Sequence, residues 1–243
     1  MIEDKILKNY LANLNLNLNS QSIKKIKLFL DLIYANNKFL NLVGTKDKNS
    51  ILIRHFFDCL SIFEFFKDLP VDALGGCKIL DVGSGAGLPG ILLAIILSNS
   101  NIYLLDSKEK FGKFLNMVIK ELKIKNTNLI FGRAEVLSHN ENLREKFDIV
   151  TARAVANIRI LSELTIPFCR IGGTIILYKS RKLKEELPFA EKIILNLGGR
   201  VANIFDVSVP LLNEYRVLLI IKKEKTTLYK YPRKYVKMLK DIS

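Results

Sequence analysis

The chain has 243 residues, of which 49% are hydrophobic and 26% are charged, so a mainly disordered chain is excluded. Its 38 basic and 24 acidic residues give a net charge of +14, which favours a polyanionic partner such as nucleic acid or an anionic membrane surface. The three widely spaced cysteines include no CxxC pair, which argues against a disulfide framework and a cysteine-built zinc site. The longest apolar run, residues 91–97, is too short to cross a bilayer. We therefore expect a soluble, globular protein of a reducing compartment.

Residues 1–70 are predicted to form a helical N-terminal subdomain. Apolar residues recur there at helical spacing in two stretches, 23–33 and 52–63. The expected N-terminal caps of these two helices are Ser20 or Ser22 for the first and Ser50 for the second.

From Cys77 onward, short apolar runs alternate with amphipathic segments, which is typical of a parallel sheet with helices on both faces. The predicted strands lie at 78–82, 102–105, 129–131, 147–151, 174–179, 200–207 and 216–221. The predicted helices lie at 88–97, 108–122, 138–144, 158–168 and 184–197. No helix separates the last two strands, so we expect an antiparallel pair. The fold class is α/β, a doubly wound seven-stranded sheet, with a core over 71–225 and a basic tail over 226–243.

A glycine-rich loop follows the first strand, with the sequence Asp81-Val82-Gly83-Ser84-Gly85-Ala86-Gly87-Leu88-Pro89-Gly90. Nucleotide-like ligands bind at this position of α/β sheets. The GxGxxG pattern of dinucleotide-binding proteins matches by letter from Gly85, but it begins two residues after the glycine that ends the strand. The in-phase pattern is an acidic residue followed by GxGxG, which resembles motif I of the Rossmann-like class I S-adenosylmethionine (SAM) methyltransferases. The expected cofactor cradle is Asp81, Gly83, Ser84, Gly85 and Gly87; the alternative is a glycine turn that binds nothing.

Two further segments extend the expected cofactor site. Asp106 ends the second strand, about 20 residues after the loop, where a carboxylate can accept both ribose hydroxyls. Arg133-Ala134-Glu135 follows the third strand and borders the adenine pocket of a doubly wound sheet. Glu135 or the backbone of Ala134 is a candidate partner of the adenine edge; the alternative is a glutamate favoured by a helix dipole.

Cations follow three separate strands of the predicted sheet. Arg133, Arg153 and Lys179 lie at strand ends on the same edge, so we expect them to surround one mouth and to bind an anionic substrate. The alternative for Arg153 is an exposed, salt-bridged arginine. On the second N-terminal helix, His55 and Asp58 are three residues apart and share a face; a solvent-facing or capping role is expected for them rather than a metal site.

Several motifs together carry a family resemblance over residues 36–221. They are Asn41-Leu42-Val43-Gly44, Arg54-His55-Phe56-Phe57-Asp58-Cys59-Leu60, the glycine loop with its Gly-Leu-Pro-Gly ending, Leu105-Asp106-Ser107, Arg133-Ala134-Glu135, Ala152-Arg153-Ala154 and Pro210-Leu211. With them the chain resembles the RsmG (GidB) family of bacterial 16S rRNA guanine-N7 methyltransferases. It departs from many members at Tyr178-Lys179-Ser180, where Leu-Lys-Gly is common.

The resemblance implies SAM-dependent methyl transfer to N7 of a guanine in the decoding-region loop of 16S rRNA, in line and without a covalent intermediate. SAM, converted to S-adenosyl-L-homocysteine, would contact Gly83, Leu88, Ala134, Glu135 and Arg153, and no metal is expected. Arg153 and Lys179 would orient the guanine as catalytic residues, and the implied RNA-binding residues are Arg54, His55, Arg133, Lys179 and Arg181. The implied partner is 16S rRNA or the small ribosomal subunit, and the implied protein is a cytoplasmic monomer without membrane contact.

Two other functions stay open at this point. One is a SAM methyltransferase that acts on a small molecule or a protein, against which the basic clusters argue. The other is a non-catalytic nucleic-acid-binding protein that has lost its cofactor, against which the intact loop and Asp106 argue. The lysines near residue 181 and in the tail are interpreted as a wider RNA-binding surface, whose affinity should fall with salt.

Overall fold

The core of the protein is one seven-stranded sheet. The computed structural model describes residues 2–67, 74–153 and 156–240. The strands are β1 (Lys78–Val82), β2 (Asn101–Asp106), β3 (Thr127–Phe131), β4 (Phe147–Arg153), β5 (Cys169–Lys179), β6 (Gly199–Val207) and β7 (Arg216–Lys223). Their order is β3-β2-β1-β4-β5-β7-β6, with β1 to β5 parallel and β7 antiparallel to both of its neighbours. The predicted strands and the antiparallel last pair are confirmed.

Helices cover both faces of the sheet. They are α1 (Ile2–Asn13), α2 (Ser20–Leu40), α3 (Lys48–Ile51), α4 (Asp58–Leu60), α5 (Ile62–Phe65), α6 (Gly90–Ile96), α7 (Glu109–Glu121), α8 (Ala134–Leu137), α9 (Ile158–Thr165), α10 (Leu183–Asn196) and α11 (Tyr235–Lys240). A π-helical segment, Leu52–Phe57, joins α3 to α4. Among the described residues, no helix combines the length and the apolar character that a membrane span needs.

The helices divide into two layers because the alternate side chains of each strand point to opposite faces. The N-terminal helices α1 to α5 lie with α6 and α7 on one face, where Ile26, Phe29 and Phe56 are fully buried. Helices α9, α10 and α11 cover the other face, around residues such as Val150 and Leu161. The predicted domain boundary at residue 70 lies outside the described residues, and the division into domains stays a prediction.

The predicted N-terminal caps are wrong, because each helix begins after a different polar residue. Asn19 caps α2 and accepts a hydrogen bond from the backbone of Ser22 at 2.8 Å. Asp47 caps α3 in the same way, through the backbone of Ser50 at 2.8 Å. In both cases the cap is the residue whose side chain lies three positions before the donating amide, which is the usual capping geometry.

The short helix predicted at 138–144 is also wrong. The helical turn after β3 is α8, Ala134–Leu137, and residues 138–145 form turns. Ser138 is buried, and its carbonyl accepts a hydrogen bond from the guanidinium of Arg144 at 2.9 Å. The helical turn therefore directly follows Arg133, and α8 starts at the edge of the expected cofactor site.

Candidate cofactor and substrate site

A cleft of about 550 Å³ lies beyond the carboxyl ends of the central parallel strands. Its walls come from the loops after β1, β2 and β3, from the end of β4, and from residues 42–44 of the N-terminal region. Of the ten predicted cofactor residues, eight line it: Gly83, Ser84, Gly85, Leu88, Asp106, Ala134, Glu135 and Arg153. Residues from four strand ends thus meet in one concave site, as expected for the edge where parallel strands end.

The other two predicted cofactor residues, Asp81 and Gly87, lie beneath the cleft and shape the loop. The side chain of Asp81 is buried and accepts a hydrogen bond from the backbone of Gly90, the first residue of α6, at 3.0 Å. Gly87 has a φ of +87°, and a Cβ atom there would lie 2.5 Å from Ile91. Burial raises the pKa of Asp81 to about 7. Asp81 therefore ties the loop to the start of α6 from below.

The carboxylate of Asp106 is oriented by the backbone on both sides of the cleft. One oxygen, Oδ2, accepts a hydrogen bond from Gly85 in the glycine loop at 2.9 Å, and Oδ1 accepts one from Lys108 at 2.9 Å. Fixed amide donors restrict the side-chain rotamer, so the group has little freedom left to lose on binding a ligand. An acidic oxygen pair in this position can accept two neighbouring hydroxyl groups.

One end of the cleft is lined by residues that follow β3, by α8 and by the C-terminal tail. Arg133 and Glu135 form an ion pair at 2.6 Å. The guanidinium of Arg133 also lies 5.5 Å from the ring centroid of Tyr235, the first residue of α11, which lines the cleft. Tyr235 was not predicted, because the tail gives no local signal that it returns to this edge. Phe111 on α7 also lines the cleft and supplies a second aromatic wall.

Arg153, at the end of β4, is the most strongly constrained cation of the site. Its Nε donates to Oδ2 of Asp58 at 2.7 Å, and its Nη2 donates to the backbone oxygen of Arg54 at 2.8 Å. The alternative of an exposed, salt-bridged arginine is correct in the ion pair with Asp58 and wrong in the exposure, since the exposed fraction of the side chain is 13%. Asp58 also lies 3.2 Å from Nε of Arg216 on β7. Arg216 was not predicted as a site residue. Asp58, for which a solvent-facing or capping role was expected, is buried between two arginines.

His55 contacts the same arginine, and the contact defines its tautomer. Nη2 of Arg153 lies 3.1 Å from Nδ1 of His55, and a guanidinium can only donate, so Nδ1 accepts. The proton is therefore on Nε2, which lies 3.0 Å from the hydroxyl oxygen of Thr45. Burial, with Arg153 beside it, lowers the pKa of His55 to about 4. The ring is therefore neutral at pH 7 and links Arg153 to Thr45.

A second, smaller cavity of about 350 Å³ adjoins the cleft, and Arg153 lines both. Lys179, at the end of β5, lines only the second cavity, where its Nζ lies 2.7 Å from Glu186 on α10. Arg133 lines only the cleft. The expected single mouth is therefore divided into two adjoining cavities, because β4 lies between β1 and β5 and its terminal arginine separates the two strand ends.

The remaining predicted RNA-binding residues, Arg54 and Arg181, lie outside the cleft. Arg54 is half-exposed, and its Nη1 pairs with Glu214 at 2.5 Å near the second cavity. Arg181 is exposed in the turn between β5 and α10. In the described residues, no group of three or more histidine, cysteine, aspartate or glutamate side chains could bind a metal.

The family model described as GidB, rRNA small subunit methyltransferase G, matches residues 22–212. The chain belongs to this family. It is 39% identical over 230 residues to the ribosomal RNA small subunit methyltransferase G of Lachnoclostridium phytofermentans, covering 95% of this chain and 93% of the relative. The relative of the same name from Clostridium tetani is 41% identical over 206 residues, with 85% and 84% covered. The resemblance drawn from the motifs is confirmed.

The solved structures with a similar fold are more distant in sequence. A SAM-dependent methyltransferase from Aquifex aeolicus superposes with a TM-score of 0.51 at 16% identity, covering 70% of this chain and 92% of that one. The fibrillarin pre-rRNA processing protein of Methanococcus jannaschii superposes with a TM-score of 0.50 at 22% identity, covering 62% and 68%. These likenesses concern the fold alone, and with the strand order they confirm the class I methyltransferase architecture.

Proposed function

We propose that this protein transfers the methyl group of SAM to N7 of a guanine in the decoding-region loop of 16S rRNA. Membership of the rRNA small subunit methyltransferase G family supports the reaction class and the substrate. The observation that carries the proposal is the pair of adjoining cavities with Arg153 in the wall of both. One cavity is suited to a nucleoside cofactor and the other, which basic side chains border, to a base of an anionic polymer.

The larger cleft fits SAM in size and in chemistry. Its volume of about 550 Å³ lies within the usual range of small-molecule sites. Asp106 would bind the ribose hydroxyls, the backbone of Ala134 with Glu135 would bind the adenine edge, and the glycine loop would bind the methionine part. Phe111 and Tyr235 provide flat apolar walls for a purine ring.

The smaller cavity is the proposed position of the guanine. Lys179 and Arg216 line it, and both are fixed by carboxylates, Glu186 and Asp58 respectively. Cations held by such partners are already oriented before RNA arrives, which reduces the entropic cost of aligning the base. Arg153 can then orient the guanine at the junction while its other face lines the cofactor cleft.

The methyl transfer requires little of the protein beyond positioning the methyl donor and the guanine. When bound, SAM supplies a sulfonium methyl group, which the lone pair of guanine N7 can take directly. N7 carries no proton, so no general base is needed; the lone pair of His55 Nδ1 already accepts a hydrogen bond from Arg153. None of the three cysteines lines the cleft, and burial raises the pKa of the Cys59 thiol, so no cysteine nucleophile is available there. Direct in-line transfer is therefore the proposed course.

The test is methyl transfer from tritiated SAM to protein-free small-subunit rRNA, to 30S particles and to a small-molecule pool. We expect label in RNA, at a base that borohydride reduction and aniline scission identify as 7-methylguanine. Arg153→Ala should lower the transfer rate at least tenfold, which corresponds to about 1.4 kcal/mol in the barrier. Label at another atom or another class of acceptor would refute the proposal, as would full activity of the Arg153→Ala variant.

A further inference from the structure

A second groove, outside the site described above, lies at the carboxyl end of α2. It encloses about 930 Å³ and is bordered by the end of the helix and by the loop that follows it, residues 41–46. Two aromatic side chains line it, Tyr34 and Phe39, and their exposed fractions are 48% and 75%. Packing within the protein does not explain a phenylalanine at position 39, because three quarters of its surface is exposed.

The charged side chains that line the groove are positive among the described residues. Lys38 and Lys46 line it, and no aspartate or glutamate is among the described residues that do. The Nζ of Lys38 lies 5.1 Å from the ring centroid of Phe39, so the cation and the aromatic face are presented together. An aromatic face beside ammonium groups is the combination with which proteins bind an unpaired nucleotide, stacking on its base and neutralising its phosphate.

The groove is also continuous with the cofactor cleft. Residues 42–44 line both, so an occupant of the groove lies one loop away from the cofactor site. The loop is fixed at its start by the buried side chain of Asn37, whose amide donates to the oxygen of Thr45 at 2.6 Å and accepts from Val43 at 2.8 Å. Thr45 in turn contacts His55, the neighbour of Arg153. The groove is therefore a preformed extension of the site rather than a separate depression.

We propose that this groove binds an unpaired nucleotide that flanks the target guanine in the RNA substrate, with its base stacked on Phe39. The inference rests on the proposed function, since it names a further contact of the same substrate. RNA loops present unstacked bases attached to a phosphate backbone, which matches an aromatic platform with lysines at its rim. A purely apolar peptide would leave the lysines unused, and a polyanion without bases would leave the aromatic face unused.

The first experiment compares steady-state methylation of protein-free small-subunit rRNA by matched variants. Removing a stacking side chain weakens binding by about 1–3 kcal/mol, or at least about fivefold, so Phe39→Ala should raise the KM for RNA by that factor. The kcat and the Kd for SAM should stay within twofold of the wild-type values. The control is Phe189→Ala on α10, which removes a phenylalanine of similar exposure, 72%, far along the chain from the groove. An unchanged KM in the Phe39→Ala variant would overturn the inference.

The second experiment needs no methyl transfer. The chain contains no tryptophan, so Phe39→Trp introduces a single tryptophan, at the platform, whose emission can be followed. We expect a single-stranded oligoribonucleotide to quench its emission and heparin, a polyanion without bases, to leave it unchanged; the Phe189→Trp variant should respond to neither. Equal quenching by heparin, or no quenching by RNA, would overturn the inference.

The two experiments separate failure of the inference from failure of the proposed function. Wild-type methylation of rRNA together with an unresponsive Phe39→Trp variant would leave the proposed function standing and remove the groove from it. Absence of methyl transfer by the wild type would refute the proposed function, and the quenching titration would still decide whether the groove binds RNA. A Phe39→Ala defect seen only with assembled 30S particles would assign the groove to a ribosomal protein and overturn the inference.

Discussion

Asp58 orients Arg153, so replacing its carboxylate by an amide should impair both folding and methyl transfer. The side chain of Asp58 has an exposed fraction of 5%, and it lies between Arg153 at 2.7 Å and Arg216 at 3.2 Å. The Asp58→Asn variant retains the shape but leaves two largely buried guanidinium groups without their shared negative charge. Removing one partner of a buried ion pair in this way typically lowers the free energy of unfolding by about 3–5 kcal/mol.

The lower end of that range applies here, because Arg153 retains its hydrogen bonds to the backbone of Arg54 and to His55. About 3 kcal/mol corresponds to a fall of roughly 6–12 °C in the Tm of a chain of this length. Thermal unfolding followed by circular dichroism measures the shift. Glu109→Gln is the matched control, since it breaks an exposed ion pair with Lys113 and should leave the Tm unchanged.

The catalytic effect should appear well below the Tm, where both proteins are folded. A guanidinium that loses its carboxylate partner samples more orientations, so kcat should fall at least tenfold while the Kd for SAM changes little. If Asp58 acts through Arg153, the double variant Asp58→Asn/Arg153→Lys should be no slower than Arg153→Lys alone. A Tm within 1 °C of the wild-type value, or additive losses of kcat in the double variant, would refute this reasoning.

Three further outcomes are expected. Burial raises the pKa of Asp81 to about 7, above that of an unfolded aspartate. The contribution of Asp81 to stability should therefore be complete below about pH 4 and lost as the pH rises to 7. Urea titrations at several pH values should show this fall in the wild type and a flatter profile in Asp81→Asn. Gly90→Ala places a Cβ 2.1 Å from a side chain of β2 and should lower the unfolding free energy by about 1–3 kcal/mol. Gly112→Ala, near the start of α7 with nothing within 4 Å of the new Cβ, should raise the unfolding free energy by about 0.5–1 kcal/mol. Tyr235→Ala should raise the Kd for SAM about fivefold by calorimetry, equivalent to ~1 kcal/mol, because Arg133 loses its aromatic partner; a Tyr235→Phe variant with the same defect would contradict this explanation.

The predicted and observed cofactor sites agree because their residues are close in sequence to the ends of strands. Hydrophobic runs located β1 and β2, and in a parallel sheet the residues after such strands converge on one edge. The glycine loop and Asp106 could therefore be placed together without any tertiary information. The capping residues were mispredicted for the opposite reason, since Asn19 and Asp47 compete with nearby serines for the same role and only backbone dihedral angles distinguish them.

The sequence by itself determined the α/β class, the position of the cofactor edge and the family, because periodicity and local motifs carry that information. Only the tertiary structure decided what surrounds Arg153. Asp58 lies 95 positions before it in the chain and Arg216 on a strand inserted between β5 and β6, so their charges meet through the order of strands in the sheet. Tyr235 likewise reaches the cleft only because the C-terminal tail packs against α9. Contacts between distant elements depend on how the layers assemble, and no short-range pattern in the chain records them.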